Sequence, residues 1–168
     1  METRITGRVF VFGKNVDTDQ IYPGRFVEIT DPADVAKHVM EGADPAFAGA
    51  CRPGDVIVAE SNFGCGSSRE HAAVALKAAG VGAVVAASFG RIFYRNGINL
   101  GLPLLVCPDC HDKVKAGESV TIDMETGEIT GPSGEVVARA EKVSDYMMDI
   151  LRNGGIKPML QRRLSQGG

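Results

Sequence analysis

Ser67, Ser68 and Arg69 stand directly behind two glycines in the run Asn62-Phe63-Gly64-Cys65-Gly66-Ser67-Ser68-Arg69-Glu70-His71. Two hydroxyls and a guanidinium at one turn suit an anion, because a guanidinium grips a carboxylate or phosphate through two parallel N–H···O bonds. The flanks of the run say how such a turn is held. Upstream, Asp55-Val56-Ile57-Val58-Ala59 is short and β-branched and predicts a buried strand. Downstream, Glu70 to Ala79 is alanine-rich and stops at Gly80, which predicts a helix. The turn therefore leads into a helix N-terminus, where unpaired backbone N–H groups and a partial positive charge favour anions. Ser67 and Glu70 also have capping-box spacing, and that common pattern accounts for those two residues without any ligand. It does not account for Arg69, whose charge is unfavourable at a helix N-terminus. Nor does it require the glycines, which admit positive φ or close approach of backbone to a ligand. Neither G-x-x-x-x-G-K-S/T nor G-x-G-x-x-G occurs here, which argues against a nucleotide-phosphate loop.

Gly64 to Ala72 resembles the signature of the mobile swivel domain of the aconitase superfamily. Three further segments match in order. Asn15-Val16-Asp17-Thr18-Asp19-Gln20-Ile21-Tyr22-Pro23 resembles the family's D-T-D-x-I-x-P segment. Ser88-Phe89-Gly90-Arg91-Ile92-Phe93-Tyr94-Arg95-Asn96 resembles its S-F-A-R-I-F-Y-R-N helix, with Gly90 where alanine is usual. Asn99-Leu100-Gly101-Leu102-Pro103 resembles the approach to the next strand. The motifs run from about residue 13 to residue 105, and the chain has the length of the family's stand-alone small subunits. It most resembles those of 3-isopropylmalate dehydratase and of homoaconitase.

The resemblance implies a three-layer β/β/α swivelling domain of aconitase type over residues 1–168. It also implies a hydro-lyase active only with a large subunit that carries a 4Fe–4S cluster, this chain holding no metal. Ser67 would be the base that moves the carbon-bound proton. Ser68 and Arg69 would bind a substrate carboxylate, and Asp19 on the catalytic side and Thr18 on the substrate side would orient Ser67 or Arg69. On residue type alone, Asp17 and Asp19 read first as loop hydrogen-bonding groups. Arg91 and Arg95, four apart, share one helix face and read as surface or packing charges, with contact to the substrate or the large subunit as the alternative.

Substrate choice rests on Arg25-Phe26-Val27-Glu28-Ile29-Thr30-Asp31-Pro32, in the place of a family loop, often Y-L-x-x-T-D-P, that lies near the substrate's variable group. Homoaconitase-type loops resemble Y-L-R-T, with the arginine taking a third carboxylate. Glu28 stands there instead, and carboxylate against carboxylate repels. Val27 and Ile29 suit a branched alkyl group. The expected reaction is thus interconversion of 2- and 3-isopropylmalate in leucine biosynthesis. A 2,3-dimethylmalate dehydratase or a homoaconitase is the runner-up, and a non-catalytic anion-binding or regulatory module a third reading.

The elements that must position these groups alternate. Gly7 to Gly13, Asp55 to Ala59, Ala83 to Ala87 and Pro103 to Cys107 read as strands, separated by helices at Asp31 onward, Glu70 to Ala79 and Arg91 to Asn96. Such alternation predicts a mostly parallel sheet with ligand-binding loops at the strand carboxyl ends. Asp17 to Pro23 reads as a polar loop, Glu41 to Pro53 as a connection, and Gly97 as the stop of the short helix. Later, Ser119 to Met124 and Val136 to Ala140 predict strands of a C-terminal β-hairpin region, joined across turns at Thr126-Gly127 and Pro132-Ser133-Gly134. Ser144 to Asn153 predicts a closing helix, and Gln161 to Gly168 a frayed tail.

Composition fits this reading. With 168 residues, 44% of them hydrophobic, the chain has enough apolar residues for a real core. A net charge of −3 without a basic stripe argues against nucleic acid. No segment has the pattern of a signal peptide or membrane span, so the cytoplasm is expected. Self-association of the isolated chain is compatible with all of this. Cys107-Pro108-Asp109-Cys110-His111 has the spacing of a c-type haem attachment string, a chemistry that needs export. It reads instead as a reduced pair, and Cys65 as an apolar filler.

Overall fold

The computed structural model describes residues 3–66 and 70–167. Strands β1 (Arg4–Val11), β2 (Val56–Ala59), β3 (Ala83–Ala86) and β4 (Leu104–Val106) pair in parallel, in the order β4-β3-β2-β1. β2 and β3 are buried at every position, which is why their sequences VIVA and AVVA run apolar without alternating. β5 (Ser119–Asp123), β6 (Glu128–Thr130) and β7 (Val136–Arg139) extend the sheet antiparallel from the other edge of β1, making seven strands. The two expected turns join β5 to β6 and β6 to β7. β6 itself escaped the sequence reading because only Ile129 of its three residues is buried, too little for a period.

Helices α1 (Thr18–Ile21), α2 (Pro32–Ala36), α3 (Phe47–Ala50), α4 (His71–Ala78), α5 (Arg91–Asn99), α6 (Cys110–Lys113), α7 (Asp145–Arg152) and α8 (Ile156–Gly167) fill the connections. α2 begins as its residues require: Pro32 opens it, and the Asp31 carboxylate accepts the Ala33 N–H. Ser144 caps α7 in the same way through the Met147 N–H.

Four expectations change. Asp17 to Pro23 is not merely loop, since α1 forms there with Asp17 and Gln20 as a reciprocal capping box. The Glu41 to Pro53 connection contains α3, pinned by buried Phe47 edge-on to Phe10 at 4.8 Å between ring centres. Gly97 does not stop α5. It is buried inside the helix, where an added Cβ would lie 2.6 Å from Leu104 Cδ1, and the chain turns instead at Gly101, φ +84°. The tail from Gln161 is helical to Gly167 as part of α8. Buried Met159 anchors that helix, the Arg163 guanidinium meets Asp149 at 2.6 Å, and Arg162 donates to Asn153 Oδ1 at 3.2 Å. No helix among the described residues is long and apolar enough to cross a membrane.

One buried charge holds the amino ends of the central strands. Asp55 is 5% exposed and accepts the Arg52 N–H at 2.8 Å, the Arg8 N–H at 3.2 Å and the Arg8 guanidinium at 3.0 Å. Burial alone would push its carboxyl up, but these three donors outweigh it and hold the group below the usual carboxylate range. A carboxyl lowered by folding adds stability above its unfolded value and loses it as pH falls through the folded one. Asp55→Asn is therefore expected to cost about 2 kcal/mol at neutral pH, roughly 5 °C in melting temperature. The gap to wild type should close on acidification, which thermal melts over a pH series would check.

Candidate active site

Three loops at the carboxyl ends of the parallel strands are laced together by backbone. After β1, the Asn15 N–H donates to Ser61 O at 2.9 Å and the Thr18 N–H to Cys65 O at 2.8 Å. The Gly64 N–H returns to Val16 O at 2.7 Å, and the Asn62 side-chain amide reaches Asn15 Oδ1 at 3.1 Å. On the other side, the Asn62 N–H meets Ser88 Oγ at 2.8 Å, and the Phe63 N–H meets Ser88 O at 3.0 Å. The Gly90 N–H closes the set on Phe63 O at 2.9 Å. Segment 61–66 thus continues the sheet outward, bridging Asp17 to Cys65 and Phe63 to Phe89. Buried Phe63 fixes the centre edge-on to Phe93 at 5.6 Å.

The glycines are the condition for this approach. Gly64 has φ +81°, and a Cβ there would lie 2.2 Å from Phe93 Cγ. Gly66 has φ +106°, with Thr18 Oγ1 3.3 Å from where its Cβ would be. At Gly90, where alanine is usual, a Cβ would sit 2.6 Å from Gly64 O, so this chain's loops pack too closely for a methyl group.

Ser67, Ser68 and Arg69 lie outside the described residues, as does the Ser67 half of the expected capping box. Glu70 is itself the N-cap of α4, with no side-chain cap bond. Thr18 is buried at the start of α1. Asp19 is exposed and accepts the Gly24 N–H at 2.9 Å, while Asp17 caps α1, so both carboxylates carry local hydrogen bonds as their residue type suggested. Thr18, Asp19, Val27 and His71 converge on a cleft of about 30 Å³, closed by Tyr22, Gly24 and Ala72. That is room for one water-sized group.

The loop read for substrate choice divides. Val27 faces the cleft and Glu28 is exposed. Phe26 does not line the cleft: it stacks on His38 at 3.7 Å between ring centres, and the Arg25 guanidinium covers it at 4.6 Å. Glu41 pairs with both Arg25 and His38, tying the knot. Ile29 packs against the core and donates its N–H to Phe26 O at 3.0 Å.

His71 was missed as a site residue. Its ring stacks on Tyr22 at 6.5 Å, and its buried Nδ1 has no hydrogen-bond partner among the described residues. The available signal was its place as the first residue of the helix that follows Ser67-Ser68-Arg69-Glu70.

Cys107 and Cys110 are buried free thiols at the start of α6. Cys110 lowers the Cys107 thiol, while Cys107 and burial push Cys110 far up. Among the described residues, no three His, Cys, Asp or Glu side chains gather to hold a metal ion.

The aconitase C-terminal domain family matches residues 52–108, from the approach to β2 through the glycine turn, α4, β3 and α5 to the end of β4. Over nearly its whole length the chain is 52% identical to 3-isopropylmalate dehydratase small subunit 1 of Methanopyrus kandleri, covering 96% of this chain and 95% of the relative. The chain belongs to the 3-isopropylmalate dehydratase small-subunit family. The crystal structure of 3-isopropylmalate dehydratase from Methanocaldococcus jannaschii shares the fold of this family member with a TM-score of 0.91 at 43% identity, covering 98% of this chain and 99% of that one. The aconitase-type swivel fold expected from the motifs is therefore the fold observed. The methanogen homoaconitase small subunit of Methanothermobacter thermautotrophicus is also 52% identical, over 93% of this chain and 90% of the relative. The small-subunit scaffold thus serves relatives of more than one name.

Proposed function

We propose that the chain is the small subunit of a hydro-lyase that interconverts 2-isopropylmalate and 3-isopropylmalate through isopropylmaleate, a step of leucine biosynthesis, in complex with a large subunit. The observation that carries this reading is the lacing of the 14–18, 61–66 and 88–90 loops. It brings the backbone leading to Ser67 against Thr18 and beside the cleft lined by Asp19 and His71.

Loss of water from a 2-hydroxy diacid breaks a C–H bond beside a carboxylate and a C–O bond on the neighbouring carbon. Ser67, as alkoxide, takes the carbon-bound proton, and the same hydroxyl returns it on rehydration at the other carbon. A serine hydroxyl is a very weak acid in water, so holding it as alkoxide requires N–H dipoles aimed at it, of the kind a helix N-terminus supplies. Arg69 takes a substrate carboxylate through two parallel bonds, and Ser68 adds a donor. Thr18 and Asp19 orient the pair from α1. Departure of hydroxide calls for a Lewis acid. A 4Fe–4S cluster carried by the large subunit would supply that Lewis acidity.

The test is reconstitution. The purified chain alone should not turn over, and addition of cluster-loaded large subunit should restore isopropylmalate interconversion. Turnover by the isolated chain, or none by the complex on any substituted malate, would remove the reading. A homoaconitase-type activity is the second reading, favoured by a relative of that name at equal identity. Exposed Glu28 argues for the alkyl substrate, since it would face a third carboxylate with like charge. Glu28→Arg is expected to raise relative use of a tricarboxylic substrate by about tenfold in kcat/KM ratio. An unchanged ratio would take this loop out of the specificity argument.

A further inference from the structure

Away from the cleft, a groove of about 590 Å³ runs between α5 and α7 at the carboxyl ends of β3 and β4. Its floor is apolar, built from Phe89, Ile98, Val106 and Ile150. Arg91 and Arg95 stand on its α5 side, both exposed, and neither has an ion pair or hydrogen bond among the described residues. On the α7 side, Tyr146 is 56% exposed beside Met147, whose sulfur accepts the Tyr94 hydroxyl. Glu141 is the one acidic side chain in the lining, and no lysine is present.

Three features make this surface unlike an ordinary solvated face. Arginine, tyrosine and methionine over an apolar floor are the types enriched where proteins meet, while lysine and acids are depleted there. Two adjacent unpaired guanidiniums on a chain of net charge −3 call for carboxylates from outside. The groove also borders the loop that carries the glycine turn, because Ser88 lines it and holds the Asn62 N–H. A partner that completes the site across the 61–66 loop would therefore pass over this groove.

We propose that the α5–α7 groove is the docking surface for the large subunit and receives an apolar side chain of that partner flanked by carboxylates that pair with Arg91 and Arg95. This rests on the small-subunit reading above and says where on this chain the partner sits.

The test titrates the full chain with its cluster-loaded large subunit and follows both assembly and turnover. Assembly of the wild-type chain should weaken as salt rises. R91E/R95E should weaken it by about 100-fold or more, because like charges replace two pairs, and Tyr146→Ala by about tenfold. All three side chains are exposed, so the melting temperatures should stay near wild type. Turnover at saturating large subunit should recover in R91E/R95E, which separates docking from catalysis. If wild-type chain and large subunit form no complex, the functional reading fails together with this one. If they form an active complex that R91E/R95E joins with unchanged affinity, the docking surface alone is wrong. Loss of self-association with intact large-subunit binding would assign the groove to a second copy and overturn the proposal. Amide hydrogen exchange gives a check independent of any variant: residues 91–99 and 145–152 should exchange more slowly in the complex, and unchanged rates there overturn it.

Discussion

Ser67→Ala is expected to lower kcat of the reconstituted complex by on the order of 10³-fold, with assembly and substrate KM little changed. The size follows from the role. A positioned base that moves the carbon-bound proton acts in the transition state, so its removal falls on kcat and not on ground-state binding. The competing account of Ser67 is a helix cap, and the two leave different traces. Loss of a cap costs about 1 kcal/mol and lowers the melting temperature by roughly 2–4 °C, with turnover preserved. Measured together, kcat and melting temperature separate the accounts: full turnover with a lower melt would make Ser67 a cap and nothing more. Ser67→Asn sharpens the comparison, because asparagine caps as well as serine yet has no hydroxyl to ionise. It should keep the melt and lose the turnover.

The second large effect belongs to the scaffold. Gly64→Ala places a methyl group 2.2 Å from Phe93 Cγ and 2.7 Å from Phe93 Cβ, the latter fixed by the helix backbone and unable to swing away. The residue would also have to hold φ +81°, a region that costs an L-residue about 1–2 kcal/mol. Strain and overpacking together are expected to cost about 3 kcal/mol or more, roughly 10 °C in melting temperature. Because Gly64 carries the Val16 contact and its neighbours the Ser88 contacts, activity should fall as well, even well below the melt. A small shift in melting temperature would mean that the loops can separate. A paired Gly64→Ala, Phe93→Ala variant tests the cause, since removal of the ring should relieve the contacts with Cγ and Cδ2 but neither the contact with Cβ nor the φ strain.

What could be read from residues alone followed the strength of the local signal. β2 and β3 were legible because strands covered on both faces read as unbroken β-branched runs. α2 was legible through its Asp31 cap, and α7 as an amphipathic run closed by Gly154-Gly155. β6 and α3 were not, being three and four residues long, and at Gly97 a packing role looked like a stop signal. Three of the four motifs supply loops that the structure laces together, while Asn99 to Pro103 lies at the amino end of β4. The motifs said nothing of how closely the loops approach, which is written in the Cβ clearances at Gly64 and Gly90. Phe26 and Val27 are neighbours in sequence, yet only Val27 reaches the cleft. The stack of Phe26 on His38 depends on the turn after α2, twelve residues on, which no local pattern displays.

The knot of Arg25, Phe26, His38 and Glu41 shares no residue with the lacing that holds the glycine turn. Exchanges at Val27 or Glu28 therefore leave the backbone bonds of the glycine turn in place, so under the proposed function the loop read for substrate choice can vary while those bonds stay fixed. On that reading, a change of malate calls for exchanges in one loop and leaves the hydrogen-bonded frame beside it intact.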